Sequence, residues 1–316
     1  MTYAIYGEIE FPASRTRGKV LVRRFSKVKI ESSWKKLTDT AEVVLPRKVK
    51  DFDRFKINEV FQAGDPIIIR MGYDGELVTE FEGYIFNVTT GVPVVITCED
   101  EMYMLKRETV SVSKASCNLK ELLNAIAPGY TVLCDDTAIG SVRYANKLVS
   151  EILDDLKSKM GLNTYFRGKT LVCGRTSIDG GSRVKVTLER QASETMKERN
   201  VEQVYVKVES LQKNGKMLKA DKGEKKGNSI VIKQPNLTKI EIERVVDDAY
   251  AKAMKPGLEG DLTLFGIPRV QHGMIVDLKS MLYAEKKVAY YVDSVTKTVE
   301  HGQGYRQVAK LGDKTS

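Results

Sequence analysis

The sequence predicts a mainly β protein with an α/β insertion, built around two similar small β-barrel domains. Three observations carry that prediction. Short runs of apolar and β-branched residues fill the chain up to Arg107 and return after Ser182. Helical spacing of apolar residues is concentrated between those two regions. The pattern of Phe61–Asp100 also recurs, in the same order, in Val270–Asp313.

Taken in chain order, KVLVRRF, KVKIESSW and TAEVVLP are β-favouring runs, followed by PIIIRMGY, ELVTEFEGYIFNVTT and VPVVITCED. Asp74-Gly75, between MGY and ELV, suits a tight hairpin because both residues tolerate positive φ. These strands make a first β-barrel tube domain over residues 1–107. CNLKELLNAIAPGY then spaces Leu119, Leu122, Leu123 and Ile126 as a helix that stops at Pro128-Gly129. ANKLVSEILDDLKSKMG repeats the pattern with Leu148, Ile152, Leu153 and Leu156, ending at Gly161. NTYFRGKTLVCG reads as a short hairpin turning at Gly168-Lys169, which completes a small α/β insertion domain over residues 108–178. RVKVTLER and VEQVYVKVES restore the strands in a second β-barrel tube domain over residues 179–316. That domain carries a lysine-rich loop (213–228), the strand SIVIKQP and a helix (237–255) with Ile240, Val245, Val246, Ala249 and Ala253 broadly on one side.

In the repeat, FQAGDPIIIRMGY lies over VQHGMIVDLKSML. This pairs Gln62 with Gln271 and Gly64 with Gly273 as the turn that leads each copy into a strand. EGYIFNVTT lies over AYYVDSVTK, pairing Tyr84 with Tyr291, and VPVVITCED lies over YRQVAKLGD. His272, one of two histidines in the chain, falls on Ala63. A catalytic histidine needs an orienting partner and a group to serve, and its motif supplies neither. It therefore reads as the occupant of a turn. A closed homotrimer of a chain with two like barrels presents six similar units around its axis, a pseudo-sixfold ring able to meet a sixfold ring of another protein.

Composition excludes several classes. Hydrophobic residues at 42% and charged residues at 29% describe a globular chain, neither disordered nor membrane-spanning. No apolar run reaches the ~18 residues a membrane helix needs, and the start MTYAIYGEIEF has no signal-peptide pattern, so no membrane insertion and synthesis in a bacterial cytoplasm are expected. The four cysteines, Cys98, Cys117, Cys134 and Cys173, form no close pairs and sit near no histidine, so buried thiols are expected and no metal or other cofactor. Of the net charge of +9, a local +4 lies in KNGKMLKADKGEKKGN. There Lys213, Lys216, Lys219, Lys222, Lys225 and Lys226 face Asp221 and Glu224. Without interleaved aromatics such a run reads as a solvated loop, with contact to a partner or a polyanion as the functional alternative.

TDTAEVVLPR, FKINEVFQAGDPIIIRMGY and FEGYIFNVTTGVPVVITCEDEMYMLKR together resemble the opening barrel of phage tail hub proteins of the late control gene D family. That family includes relatives of the N-terminal hub part of type VI secretion spike proteins. The run IERVVDDAYAKAMKPGLEGDLTLFGIPRVQHGMIVDL is similar to the family's second barrel entry, with Gly266, Pro268, Val270, Gly273 and Val276 in the characteristic places. VQHG departs from the pattern before its Gly, which bears on turn shape. The resemblance implies a homotrimeric baseplate hub in the virion tail, or in a contractile injection device. Its partners would be itself, the tail tube protein ring, the central spike or tip protein and the baseplate proteins, with DNA only as transiting cargo. Enzymatic modules in that family are attached domains, and this chain ends shortly after the second barrel, so no catalytic residues are expected. Two alternatives belong to other classes. One is a tail-associated cell-wall hydrolase using Glu99-Asp100, Asp154-Asp155 or Asp247-Asp248, acidic pairs for which solvation is the simpler role. The other is a nucleic-acid binder using the lysine-rich loop.

Overall fold

The computed structural model describes residues 4–14, 17–46, 60–89, 91–175, 177, 182–195, 197–198, 204–212, 215–225, 228–233, 237–254, 258–283 and 287–315. They form two compact units, Met1–Glu194 with Asp261–Ser316, and Thr195–Gly260.

The first unit opens with β1 (Ile5–Phe11), β2 (Val20–Val22), β3 (Lys27–Ser33), β4 (Thr40–Leu45), β5 (Pro66–Tyr73), β6 (Glu76–Thr89) and β7 (Val94–Glu99), hydrogen-bonded in the order β2-β1-β5-β6-β7-β4-β3. In β4 and β5 alternate residues are buried, as a strand with one covered face requires. Asp74 and Gly75 take φ of 50° and 89° and turn β5 into β6. The inward side chains, among them Ile9, Phe11, Val43, Ile69 and Ile96, make one core.

After α1 (Met102–Leu105) comes a section with its own core: β8 (Thr109–Asn118), α2 (Leu119–Ile126), β9 (Thr131–Cys134), β10 (Ala138–Leu148), α3 (Val149–Met160), β11 (Asn163–Arg167) and β12 (Thr170–Gly174). The Asn118 side chain accepts the Glu121 N–H at 2.8 Å and starts α2, and Gly161, at φ 68°, ends α3. Both helices bury the leucines and isoleucines whose spacing predicts them, except Leu148, which ends β10 and is exposed while Val149 takes the buried place. The ribbon of β8 and β10 is absent from the sequence reading. It is largely exposed: β8 alternates half-buried Val110 and Val112 with exposed Thr109, Ser111 and Ser113, and register shifts interrupt the pairing of β10.

The rest of the first unit is β13 (Arg183–Thr187), α4 (Leu188–Gln191) and β14 (Ala192–Glu194). The second unit follows as β15 (Lys197–Glu198), β16 (Val204–Leu211), β17 (Met217–Gly223), β18 (Asn228–Lys233), α5 (Lys239–Ala253) and β19 (Leu258–Glu259). The chain then returns to the first unit with β20 (Asp261–Phe265), β21 (Ile275–Lys279), β22 (Val288–Glu300) and β23 (Gly304–Lys314). In the second unit β16 lies between β17 and β18, and α5 packs Ile242 and Val246 against Val204, Val206 and Val208. Thr238 and Glu241 cap α5 reciprocally, backbone N–H to side-chain oxygen at 2.8 and 3.3 Å.

Two expectations are corrected. The protein is mainly β, but the described residues hold no closed barrel. A barrel closes when the two edges of one sheet pair with each other. Here the free edge of β3 is taken instead by β22, from Ser294 opposite Ser33 to Glu300 opposite Lys27, so strands of both halves run on in one 13-stranded sheet. The lysine-rich segment is not an open loop either. Met217–Gly223 is the strand β17, paired with β16 along its length, with Lys219 and Lys222 both exposed but on opposite faces. Lys213 and Lys226 lie outside the described residues.

Candidate functional site

The two halves share a hydrogen-bond register. Pro66 lies opposite Tyr84 in β5 and β6, and Ile275 opposite Tyr291 in β21 and β22. Val88 lies opposite Ile96, and Val295 opposite Ala309. Even the bulge is repeated, between Ile85 and Asn87 in one copy and between Val292 and Ser294 in the other. Strand order agrees too: β3-β4-β7-β6-β5-β1 corresponds to β14-β20-β23-β22-β21-β13, with β1 antiparallel and β13 parallel to its neighbour. The second unit is thus inserted where the first copy has only the loop from Trp34 to Asp39.

The turns that enter β5 and β21 match bond for bond. The Gly64 N–H donates to the Ile85 carbonyl and the Gly273 N–H to the Val292 carbonyl, both at 2.8 Å. Gln62 and Gln271 carbonyls accept from Asp65 and Met274 at 3.1 and 3.3 Å. Gly64 and Gly273 have φ of 91° and 83°, a region that a Cβ disfavours. An arginine clasps each turn. Arg17 donates to the Val60 carbonyl at 2.7 Å and pairs with Asp65, and Arg167 of β11 donates to the His272 carbonyl at 2.8 Å.

The copies also meet through a charged contact. The tip of the β5–β6 hairpin lies against the second copy, where Tyr73 stacks on Tyr305 with ring centres 5.8 Å apart and its hydroxyl accepts the Gly266 N–H at 2.9 Å. Gly266 is required there, because a Cβ would fall 2.2 Å from the Tyr305 ring. Glu80 is the residue skipped by the β5–β6 register, so it is turned into the contact. Its carboxylate pairs with Lys297, accepts from Arg269 Nε at 2.9 Å and accepts from the Tyr305 hydroxyl at 3.2 Å. The Lys297 and Glu80 side chains are 5% and 3% exposed. Burial holds the Lys297 ammonium down to about 8 against the opposing pull of Glu80, and burial likewise raises the Tyr305 hydroxyl. Beside this cluster opens a cavity of about 310 Å3 lined by Tyr73, Asp74, Glu76, Glu80, Arg269 and Tyr305.

Of these junction residues the sequence singles out Gly266 alone, through the resemblance. One signal was present. Val295, Lys297 and Val299 alternate on the buried face of β22, so a lysine stands where the strand pattern asks for an apolar residue.

His272 is buried and does more than fill a turn. Its ring meets Tyr165 edge-on at 5.1 Å. Arg167, a pure donor, faces Nδ1 at 3.4 Å, so the neutral ring carries its proton on Nε2, which points at Asp39 Oδ2 3.7 Å away. The residue joins strands β11, β21 and the β3–β4 loop, and no nucleophile lies among these contacts. His301 sits in the exposed β22–β23 turn, its N–H donating to the Ser26 carbonyl at 3.1 Å.

The acidic pairs are not all solvated. Asp100 is buried, accepts the Met102 N–H at 3.1 Å at the start of α1, and has its carboxyl held well above the usual range by burial and then by Asp39. Glu99 pairs with Lys106 at 2.7 Å, and Asp155 with Lys147 at 2.6 Å. Among the lysines, Lys222 pairs with Asp247 at 2.6 Å and lies over the Tyr250 ring, while Lys219 is 3.9 Å from Glu209. Lys216 and Lys225 are exposed beyond the two ends of β17. The strand therefore spends part of its positive charge on its own unit, which weakens the polyanion reading. Cys98, Cys117 and Cys173 are buried free thiols, and Cys134 is half-buried. The described residues contain no cluster able to hold a metal ion and no helix long and apolar enough to cross a membrane.

No protein-family model matches the sequence, and no curated protein matches it. Solved structures do. A tail protein from Neisseria meningitidis MC58 is 14% identical with a TM-score of 0.66, covering 99% of this chain and 97% of its own. The 43 kDa tail protein of prophage MuSo2 from Shewanella oneidensis is 14% identical with a TM-score of 0.68, over 97% and 98% of the two chains. An Escherichia coli component of the type VI secretion system, described as similar to the T4 bacteriophage tail proteins gp27 and gp5, is 8% identical with a TM-score of 0.55, over 92% and 76%. At these identities the likeness is one of fold, and it runs the length of the chain: the protein has the tail-protein fold shared by these prophage and type VI secretion proteins.

Proposed function

We propose that the chain is a structural tail hub protein of a phage or phage-derived injection device. It forms a homotrimeric ring that joins the sixfold tail tube to the threefold central spike and the baseplate. The observation that carries the reading is the duplicated strand order and register, which gives each chain two equivalent segments and a trimer six. The full-length likeness to tail proteins supports the setting. Its work is binding: it presents sheet edges and apolar faces to copies of itself, to the tube ring and to the spike, around a lumen through which DNA or other cargo passes. No catalytic step is assigned to it. The best-placed carboxylates, Glu80 and Asp100, are buried in structural contacts. Its place is the virion tail. Sedimentation and electron microscopy of the purified chain test the reading. A trimeric ring with six similar lobes is expected, and a monomer at every concentration, alone and with its tube protein, would refute it.

A further inference from the structure

Within the chain the first copy reaches the second through the tip of its β5–β6 hairpin, where Tyr73 packs on Tyr305 and Gly266. The shared register assigns every member of that contact a counterpart. Ile275 stands where Pro66 stands, so Leu282 occupies the place of Tyr73, between Met281 and Tyr283. Ala309 stands where Ile96 stands, so Val92 falls on Tyr305, at the end of the shorter β6–β7 hairpin. The originals are covered: Tyr305 is buried and Tyr73 half-buried. The counterparts are bare, with Leu282 at 75% and Val92 at 69% exposure and Met281 and Tyr283 also exposed.

A single exposed leucine needs no explanation. Here three apolar residues in a row stand on a turn that is firmly built. Glu189 accepts the Ser280 hydroxyl and, at 2.9 Å, the Met281 N–H, and Ser280 Oγ accepts the N–H groups of Leu282 and Tyr283 at 3.1 and 2.9 Å. The strand edges tell the same story from the backbone. Ser294–Glu300 of β22 pair with β3, whereas the corresponding Asn87–Thr89 of β6 pair, among the described residues, with β7 alone. Likewise β3 has neighbours on both sides, and its counterpart β14 has, among the described residues, only β20. Each copy thus lacks a neighbour on the side where the other has one.

We infer that a second copy of this chain covers the turn: Met281, Leu282 and Tyr283 of one protomer pack on Val92 and the end of the β6–β7 hairpin of the next, repeating between chains the contact that Tyr73 and Tyr305 make within one. This rests on the trimeric reading above and names the surfaces that build it. A head-to-tail contact of this kind closes into a ring when its rotation divides a full turn. The charged part of the internal contact has no counterpart, because Lys297 falls on Thr90 and Arg269 on Val60. The contact between chains is therefore apolar and should persist in high salt.

The test compares the full chain with L282D and V92D by light scattering and melting, and carries V92C/L282C alongside its two single-cysteine variants through a short bismaleimide crosslinker. Both positions are exposed, so folding should be unchanged. The expected result is a trimer for the unaltered chain and at least roughly tenfold weaker association for each aspartate variant. Covalent dimers and trimers should appear only with the double cysteine variant. Trimers that survive both aspartate substitutions, with no chain-to-chain crosslinking, would overturn this surface while leaving the trimer standing. An unaltered chain that stays monomeric under all conditions would overturn the trimeric reading and this inference with it.

Discussion

Replacing Lys297 with Met probes the buried contact between the two copies. Removing one member of a buried ion pair usually costs about 3–5 kcal/mol, because the other charge is left in a dry site. Glu80 would keep Arg269 Nε at 2.9 Å and the Tyr305 hydroxyl at 3.2 Å, so the loss should sit at the low end, near 3 kcal/mol. E80Q, which leaves Lys297 buried and without its carboxylate, should cost as much or more. The double variant E80Q/K297M should lose clearly less than the sum, since neither buried charge is left without the other and Arg269, which also loses its acid, is 36% exposed. Urea unfolding followed by fluorescence is the assay. The chain has one tryptophan, Trp34, and it lies in the unit that contains the contact, its indole N–H donating to Asp293 at 3.1 Å. The pH dependence gives a second reading. With the ammonium depressed to about 8, the folded state holds fewer protons than the unfolded one between about 8 and the ordinary lysine value, so stability should rise with pH across that window. K297M should lack the rise. A loss below about 1 kcal/mol for K297M, or strict additivity in the double variant, would refute the account of this cluster.

Three further outcomes follow from the geometry. Gly64→Ala and Gly273→Ala should each destabilise by about 1–2 kcal/mol in the same assay, because both turns hold the left-handed backbone that L-residues disfavour; a neutral result at either would break the equivalence of the turns. Asp100→Asn keeps an oxygen for the Met102 N–H and removes a carboxyl whose folded value is raised. Its stabilising contribution is full below the ordinary Asp value of 3.8 and is lost as pH rises through the folded value, so the variant should be no less stable than the parent at neutral pH and should show a flatter pH profile. K219Q/K222Q should leave trimer mass unchanged and any retention on a phosphate-rich resin only slightly reduced, since both lysines face acids of their own unit; a large drop in salt-sensitive retention would restore the polyanion reading.

Features set by neighbours in the chain were legible in the sequence. Asp74-Gly75 announces its hairpin because the turn needs two positive φ values, and the leucine spacing of α2 and α3 announces their buried faces. The matched turns at Gly64 and Gly273 could be aligned by eye because the same backbone demand leaves the same residue in both places. Other features depend on what the fold brings opposite. Nothing in β17 itself says that β16 will pair with it, and nothing in β8 says that β10 will pair with it through three register shifts. Lys297 and Glu80 look like surface residues one at a time; only the bulge in β6 and the buried face of β22 turn them toward each other. The barrels predicted from the repeat gave way to one continuous sheet for the same reason. Local pattern determines that a strand has a face and an edge, but which strand satisfies the edge is a long-range competition, and β22 reaches β3 across more than two hundred and fifty residues of chain.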